Sequence, residues 1–259
     1  MDPAASGPRD SSVLTMQSNH KSSVLWDVQV SDTETIYTRH PDSASWQIDA
    51  RIIPFIHLTQ LKFLYLQLSG YFGVFPWNSF TKITTFVELN IGDNPFDITP
   101  FPKQILQLKN LNVLLLYNCS ISGQIPSEIG NLTDLIDLEL SQNFLSGSIP
   151  LEISNLKNLK YLKIWRNNLT GKLPFGFRNL TNLEQFDACN NRLEGDLSEL
   201  KFLNKLVWLQ LYNNNFSGEL PMKLGSWTEF DFIDISTNHL SGPIPPEGKG
   251  GLGQMPGRG

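Results

Sequence analysis

The sequence predicts a curved α/β solenoid, with short parallel strands on a concave face and 3₁₀ or short helical turns and loops on a convex face. Three observations predict it. The pattern L-x-x-L-x-L-x-x-N-x-L-x-G-x-I-P can be laid down eight times, with first positions at Leu61, Phe86, Leu111, Leu135, Leu159, Leu183, Leu206 and Phe230. Successive copies begin 25, 25, 24, 24, 24, 23 and 24 residues apart. No single copy can bury its own leucines, so the units must stack into one continuous core.

Each slot has a physical reason. L-x-x-L-x-L crosses a short strand in which alternate side chains face opposite sides. Leu138 and Leu140 are therefore expected inside, and Glu139 and Ser141 outside. The ninth slot holds Asn94, Asn143, Asn167, Asn191, Asn214 and Asn238, whose amides can satisfy backbone groups as the chain leaves the strand. Cys119 fills that slot in the third copy. The glycine slot suits a turn with positive φ, and the proline slot fixes φ and removes a donor. Segments such as SEIGNLTD and LEISNLKN follow the proline and suit a tight helical turn. The second copy carries Ile98 where glycine is expected, and the sixth carries Ser198 in place of proline. Both departures predict local irregularity within an unbroken array.

The flanks differ. Residues 1–21 are rich in Ser, Pro and Asp and read as disordered. Residues 22–57 form an irregular flank whose apolar alternation, as in VLWDVQV, suits strands covering the first repeat. The solenoid spans residues 58–246, and residues 247–259 read as a flexible Gly-rich tail. The array has no visible C-terminal cap and looks truncated.

Composition narrows the function. The chain has 259 residues, 40 % of them hydrophobic, and a net charge of −5 without long like-charge runs. That balance argues against a nucleic-acid partner, which requires a clustered basic face. No stretch approaches the roughly 20 apolar residues of a membrane helix, and the polar start MDPAASGPRDSSVL lacks the apolar run of a secretory signal. The four histidines show no metal-ligand spacing, and no glycine-rich phosphate loop or G-x-S-x-G elbow is present. Catalysis and a cofactor are not expected. Cys119 and Cys189 lie three repeats apart, roughly 15 Å at the strand spacing of a sheet, too far for a disulfide. Cys119 reads as a small buried residue and Cys189 as a free thiol on the concave face.

The L-x-G-x-I-P extension resembles the plant-specific subtype of leucine-rich repeat, over about Leu58 to Pro246. Within it, TGKLPFGFRNLTNLEQFDACNNRLEGDLSELKFL and LGSWTEFDFIDIS look like the HAIKU-type branch of plant receptor-like kinases, related to the HAESA-like peptide-hormone receptors. The resemblance implies a cell-surface, extracellular sensing domain with a peptide ligand or co-receptor protein as partner. It also admits homo- or hetero-association through the solenoid. A whole family member would add a signal peptide, a paired-cysteine cap, a membrane helix and a kinase, so the sequence looks like a middle slice of an ectodomain. Polygalacturonase-inhibiting proteins share the subtype, so enzyme inhibition stays open, as does a truncated product without independent function.

The repeat register places the third, fifth, seventh and eighth positions on the concave face. Candidate ligand-binding residues there are Tyr117, Tyr161, Lys163, Trp165, Arg166, Asp187, Trp208 and Tyr212. Tyr, Trp and Arg are the types enriched at binding hot spots. The same positions read equally as ordinary solvated sheet residues. Sequons at Asn118, Asn131, Asn168, Asn179 and Asn215 are candidate glycosylation sites, with Asn131 and Asn179 at equivalent convex positions.

Overall fold

The structure, a computed structural model, describes residues 61–68, 71–75, 77–80, 83–222 and 230–243. It also describes the backbone of the strands Val13–Leu14, Asp27–Asp32, Thr35–Arg39 and Trp46–Gln47. The rest of the expected disordered segment at 1–21, the rest of the flank at 22–57 and the tail at 247–259 lie outside the described residues.

Each repeat contributes one three-residue strand to a parallel sheet: Phe63–Tyr65, Glu88–Asn90, Val113–Leu115, Asp137–Glu139, Tyr161–Lys163, Gln185–Asp187, Trp208–Gln210 and Phe232–Asp234. The register never slips. Leu64, Leu89, Leu114, Leu138, Leu162, Phe186, Leu209 and Ile233 stand opposite one another in one inward row. All but Ile233 are buried, and Ile233 packs against the same cluster. A one-residue slip anywhere would move this row to the solvent face, so the leucines themselves hold the register. Thr35–Arg39 pairs with Phe63–Tyr65 in parallel and with Asp27–Asp32 antiparallel, and Val13–Leu14 pairs antiparallel with Asp27–Asp32. These strands extend the concave sheet past the first repeat.

The buried asparagine of the ninth position ties the repeats together. Asn167 Nδ2 donates to Leu140 O of the preceding repeat at 3.0 Å and to Ile164 O at 3.1 Å. Its Oδ1 accepts from Leu145 N at 3.0 Å, again in the preceding repeat. Asn143, Asn191, Asn214 and Asn238 make the same set. In the third repeat the Cys119 thiol takes over the donor role, reaching Ile91 O at 3.2 Å and Tyr117 O at 3.3 Å. Cys119 is fully buried, as expected of that slot.

The residue just before this slot is left-handed in every repeat. Leu68, Asp93, Asn118, Gln142, Arg166, Asn190, Asn213 and Thr237 all have φ between 50° and 56°. A non-glycine residue there carries a penalty of about 1 kcal/mol, which the asparagine bonds offset. The kink redirects the chain into a second parallel sheet of seven short strands, from Thr99–Pro100 to His239–Ser241. Repeat periodicity alone predicted only the concave strands. This second sheet arises because the alternating x-L-x-G segment stacks at the same spacing. A glycine such as Gly147, with φ of 74°, then turns the chain toward the convex side.

The convex side carries the 3₁₀ turns Lys103–Gln107, Ser127–Asn131, Leu151–Asn155, Phe177–Asn179 and Ser198–Phe202. Prolines precede three of them, and the carbonyl of Pro126 accepts from Ile129 N at 3.0 Å. Both irregular repeats stay within the array. Ile98, at the missing glycine, is 70 % exposed, and Thr99–Pro100 rejoins the second sheet. At the missing proline, Asp196 Oδ1 accepts from Ser198 N at 2.8 Å, so an Asp-based turn replaces the fixed φ.

Asn167→Ala is expected to lower unfolding stability by about 2–4 kcal/mol, because it strands buried backbone groups in two repeats. The exposed Asn155→Ala should stay within about 0.5 kcal/mol. Denaturant titration followed by circular dichroism checks both.

Candidate functional site

The outward positions of the concave side line up in rows from repeat to repeat. The fifth-position row places Glu139, Lys163, Asp187 and Gln210 directly opposite one another on adjacent strands. Lys163 Nζ lies 3.4 Å from Glu139 Oε2 and 4.0 Å from Asp137 Oδ2, so one cation serves the carboxylates around it. Asp137 Oδ1 is buried and has no hydrogen-bond partner. Burial, reinforced by Glu139 and opposed by Lys163, pushes the Asp137 carboxyl up to about 6. Burial also raises the Asp187 carboxyl, although hydrogen bonds from Cys189 oppose the shift. Asp187 is 7 % exposed and accepts from Cys189 N at 3.2 Å, so it forms the floor of the face.

Tyr161, Lys163, Trp165 and Arg166 come together in the fifth repeat. The Arg166 guanidinium sits 5.4 Å from the Trp165 ring, a cation–π distance, and its Nη1 is 3.5 Å from Gln142 Oε1. Trp165 is half-buried and Arg166 is exposed. Tyr161 donates to Glu184 Oε2 at 3.4 Å, and Glu184 also pairs with Lys160 at 3.0 Å. Trp208, two repeats on, stacks on Phe232 at 4.6 Å and 22°, with its Nε1 buried and unpartnered. Tyr117 and Tyr212 lie on the seventh-position row at either side, roughly 19 Å apart at the strand spacing.

That seventh-position row corrects two expectations. It reads Gly92, Tyr117, Ser141, Trp165, Cys189, Tyr212, alternating small and large. The Tyr117 ring occupies the space a Cβ on Gly92 would need, so it leans over the preceding repeat. Tyr212 is tied to the preceding repeat through its carbonyl, which accepts from Asn190 N at 2.9 Å. Ser141 faces the concave side as predicted, but it is fully buried and its Oγ has no partner. Cys189 is not a free surface thiol. It is 3 % exposed, and burial pushes its thiol up to about 12. A residue's place on the outward face does not by itself decide its exposure. The alternation of residue size was visible in the sequence and was the signal available for it.

All five sequon asparagines are exposed, and Asn118 already donates through Nδ2 to Asp93 Oδ1 at 2.7 Å. One cluster escaped the sequence reading. On the convex side, Glu199 is turned inward and binds the Arg178 guanidinium through both oxygens. The Arg178 guanidinium in turn lies over the rings of Phe175 and Phe202. The missing proline at Ser198 was the signal for it. Among the described residues no group of His, Cys, Asp and Glu is placed to hold a metal ion, and no helix is long and apolar enough to cross a membrane.

The Asp137 carboxyl gives a pH test. Its proton is held more tightly in the folded chain than in the unfolded one, so stability falls as pH rises from 3.8 through about 6 and the penalty is complete above that. Asp137→Asn should therefore raise stability at pH 7.5 by on the order of 1–3 kcal/mol. The gain should shrink toward zero as pH approaches 3.8. Thermal unfolding of both proteins across pH 4–8 reads this out directly.

The repeats match the Leucine Rich Repeat family model at residues 110–132, 134–156, 158–180 and 205–227. Over 69 residues the chain is 50 % identical to the receptor-like protein kinase HAIKU2 of Arabidopsis thaliana, covering 27 % of this chain and 7 % of that protein. The chain thus spans only a small part of this relative's length. Among solved structures it is similar to the leucine-rich-repeat ectodomain of the Arabidopsis thaliana receptor kinase GASSHO1/SCHENGEN3 in complex with CASPARIAN STRIP INTEGRITY FACTOR 2. That match has a TM-score of 0.68 and 35 % identity and covers 75 % of this chain and 23 % of the other. It is also similar to the Arabidopsis receptor kinase HAESA in complex with the peptide hormone IDA and the co-receptor SERK1, with a TM-score of 0.64 and 30 % identity. There the match covers 76 % of this chain and 37 % of the other. Four repeats of the chain thus match the Leucine Rich Repeat model, and the solenoid they belong to is similar to the ectodomains of plant receptor-like kinases.

Proposed function

We propose that this chain is a non-catalytic recognition module that binds a peptide ligand or a co-receptor protein on the extracellular side through its concave face. The observation that carries this is its similarity, over three quarters of the chain, to receptor ectodomains solved with CASPARIAN STRIP INTEGRITY FACTOR 2 and with the peptide hormone IDA. The geometry supports the fifth repeat as the centre. Tyr161, Lys163, Trp165 and Arg166 share one rigid strand and its exit turn, and the neighbouring strands supply the carboxylates of Asp137, Glu139 and Asp187. The mechanism is complementarity: the Trp165 ring offers apolar area at small entropic cost, Arg166 offers a planar donor fork, and the carboxylates orient a ligand's cationic groups. Tyr117 contributes as a fixed wall, because its ring lies over Gly92 of the repeat before it.

The test is calorimetric titration with synthetic secreted plant peptides, including IDA and CASPARIAN STRIP INTEGRITY FACTOR 2. A peptide held by the unaltered chain should lose affinity at least about tenfold when Trp165 and Arg166 are both replaced by Ala. Undiminished affinity in a folded double variant excludes the fifth repeat as the centre of recognition.

A further inference from the structure

We propose that Asp137 and Glu139 seat the guanidinium of an arginine in a peptide ligand, that Val113 and Leu115 bed its aliphatic stem, and that Asp137 gives up a proton as the arginine enters. The inference deepens the concave-face reading above and rests on it. Strand alternation sends Asp137, Glu139 and Ser141 of the fourth repeat to the same concave side. The protein supplies one cation to this group. Lys163 Nζ stands 3.4 Å from Glu139 Oε2 and 4.0 Å from Asp137 Oδ2, both longer than the roughly 2.8 Å of a close ammonium–carboxylate pair. Lys163 is shared further, because Asp187 lies directly opposite it on the next strand. Asp137 Oδ1 and the Oγ of the fully buried Ser141 have no hydrogen-bond partner among the described residues.

The neighbouring strands define the class of ligand. Directly opposite Asp137 and Glu139, the preceding strand presents Val113 and Leu115, both half-buried, with Tyr117 at its exit. The following strand presents Tyr161 and Lys163. An apolar pair one strand spacing, about 4.8 Å, from a carboxylate pair matches a side chain with an apolar stem and a cationic head. Arginine suits it better than lysine, because a planar fork of five donors can serve two carboxylates at once. Lys163 illustrates the point charge: it approaches both carboxylates and is close to neither. The side chains of Asp137 and Glu139 are 21 % and 17 % exposed, so their heads are reachable from the concave side.

Burial holds the Asp137 carboxyl up at about 6, with Glu139 reinforcing the shift and Lys163 opposing it. When the guanidinium enters, the carboxyl O–H proton leaves to solvent and the carboxylate pairs with the incoming cation. Only the ionised carboxyl forms this pair. Affinity is therefore full well above pH 6 and is lost as pH falls through that value.

The test uses N-acetyl-argininamide, whose capped ends leave the guanidinium as its sole charge, and N-acetyl-citrullinamide as its uncharged counterpart. Both are titrated into the isotope-labelled full chain and followed by NMR. Argininamide should shift the Asp137 and Glu139 signals and bind about tenfold more weakly at pH 5.0 than at pH 7.5. It should also lower the midpoint at which the Asp137 carboxyl carbon titrates. Citrullinamide should not bind measurably. Asp137→Asn should weaken argininamide binding at pH 7.5 and abolish its pH dependence, whereas Glu139→Gln should weaken binding and keep the pH dependence. Equal binding of the two probes overturns the inference, as does a pH dependence that survives Asp137→Asn. Failure to bind argininamide overturns it too, and a secreted peptide still held through Trp165 and Arg166 then leaves the fifth-repeat reading standing.

Discussion

A buried side-chain amide, repeated once per turn of the solenoid, is the interaction on which the rest of the structure depends. Where each concave strand ends, the backbone must turn sharply inside a low-dielectric core, and its carbonyls there have no water to bond. The ninth-position asparagine supplies two donors and an acceptor at that point and joins two successive repeats. It also makes the left-handed residue before it tolerable, since the strained kink is tied on both sides. Cys119 indicates which part of the asparagine matters most. A thiol can replace the donor but not the acceptor, and the Oδ1 of Asn143 in the next repeat accepts from the third repeat's Cys119 N–H and Ile121 N–H.

Because that ladder holds the register constant, the concave face is a lattice whose properties follow from neighbours rather than from single residues. In the seventh-position row, the Tyr117 ring leans toward the preceding repeat, and the small residue there makes room. Tyr117 rests over Gly92, and the Tyr212 carbonyl accepts from Asn190 N. In the fifth-position row, charge is distributed in the same local way, with Lys163 between Glu139 and Asp187. The two patterns meet at Trp165 and Arg166, whose guanidinium lies 5.4 Å from the Trp165 ring. A surface built this way is rigid, and rigid aromatic and guanidinium groups lose little freedom on binding.

The convex flank follows a different logic. Departures from the repeat are absorbed there, because the core and both sheets leave no slack. Loss of the proline at Ser198 lets Asp196 cap a tight turn and lets Glu199 swing under Arg178. The consequence is a pair of phenylalanine rings held in solvent by a paired guanidinium. Irregularity in one repeat thus becomes surface chemistry on its neighbour.

The sequence by itself determined the fold class, the repeat register, the inward leucine row and the asparagine slot. These depend on a period of about 24 residues and on the two-sidedness of a strand, both of which are local properties of the chain. It also placed Tyr161, Lys163, Trp165 and Arg166 on one face. Only the tertiary structure decided which outward residues are accessible. Ser141 and Cys189 point outward and are nonetheless buried, and burial raises the Asp137 carboxyl to about 6. The Arg178–Glu199 pair likewise joins residues 21 positions apart. The Arg178–Glu199 contact comes from the adjacent repeat, whose side-chain volume and charge a repeat template does not specify.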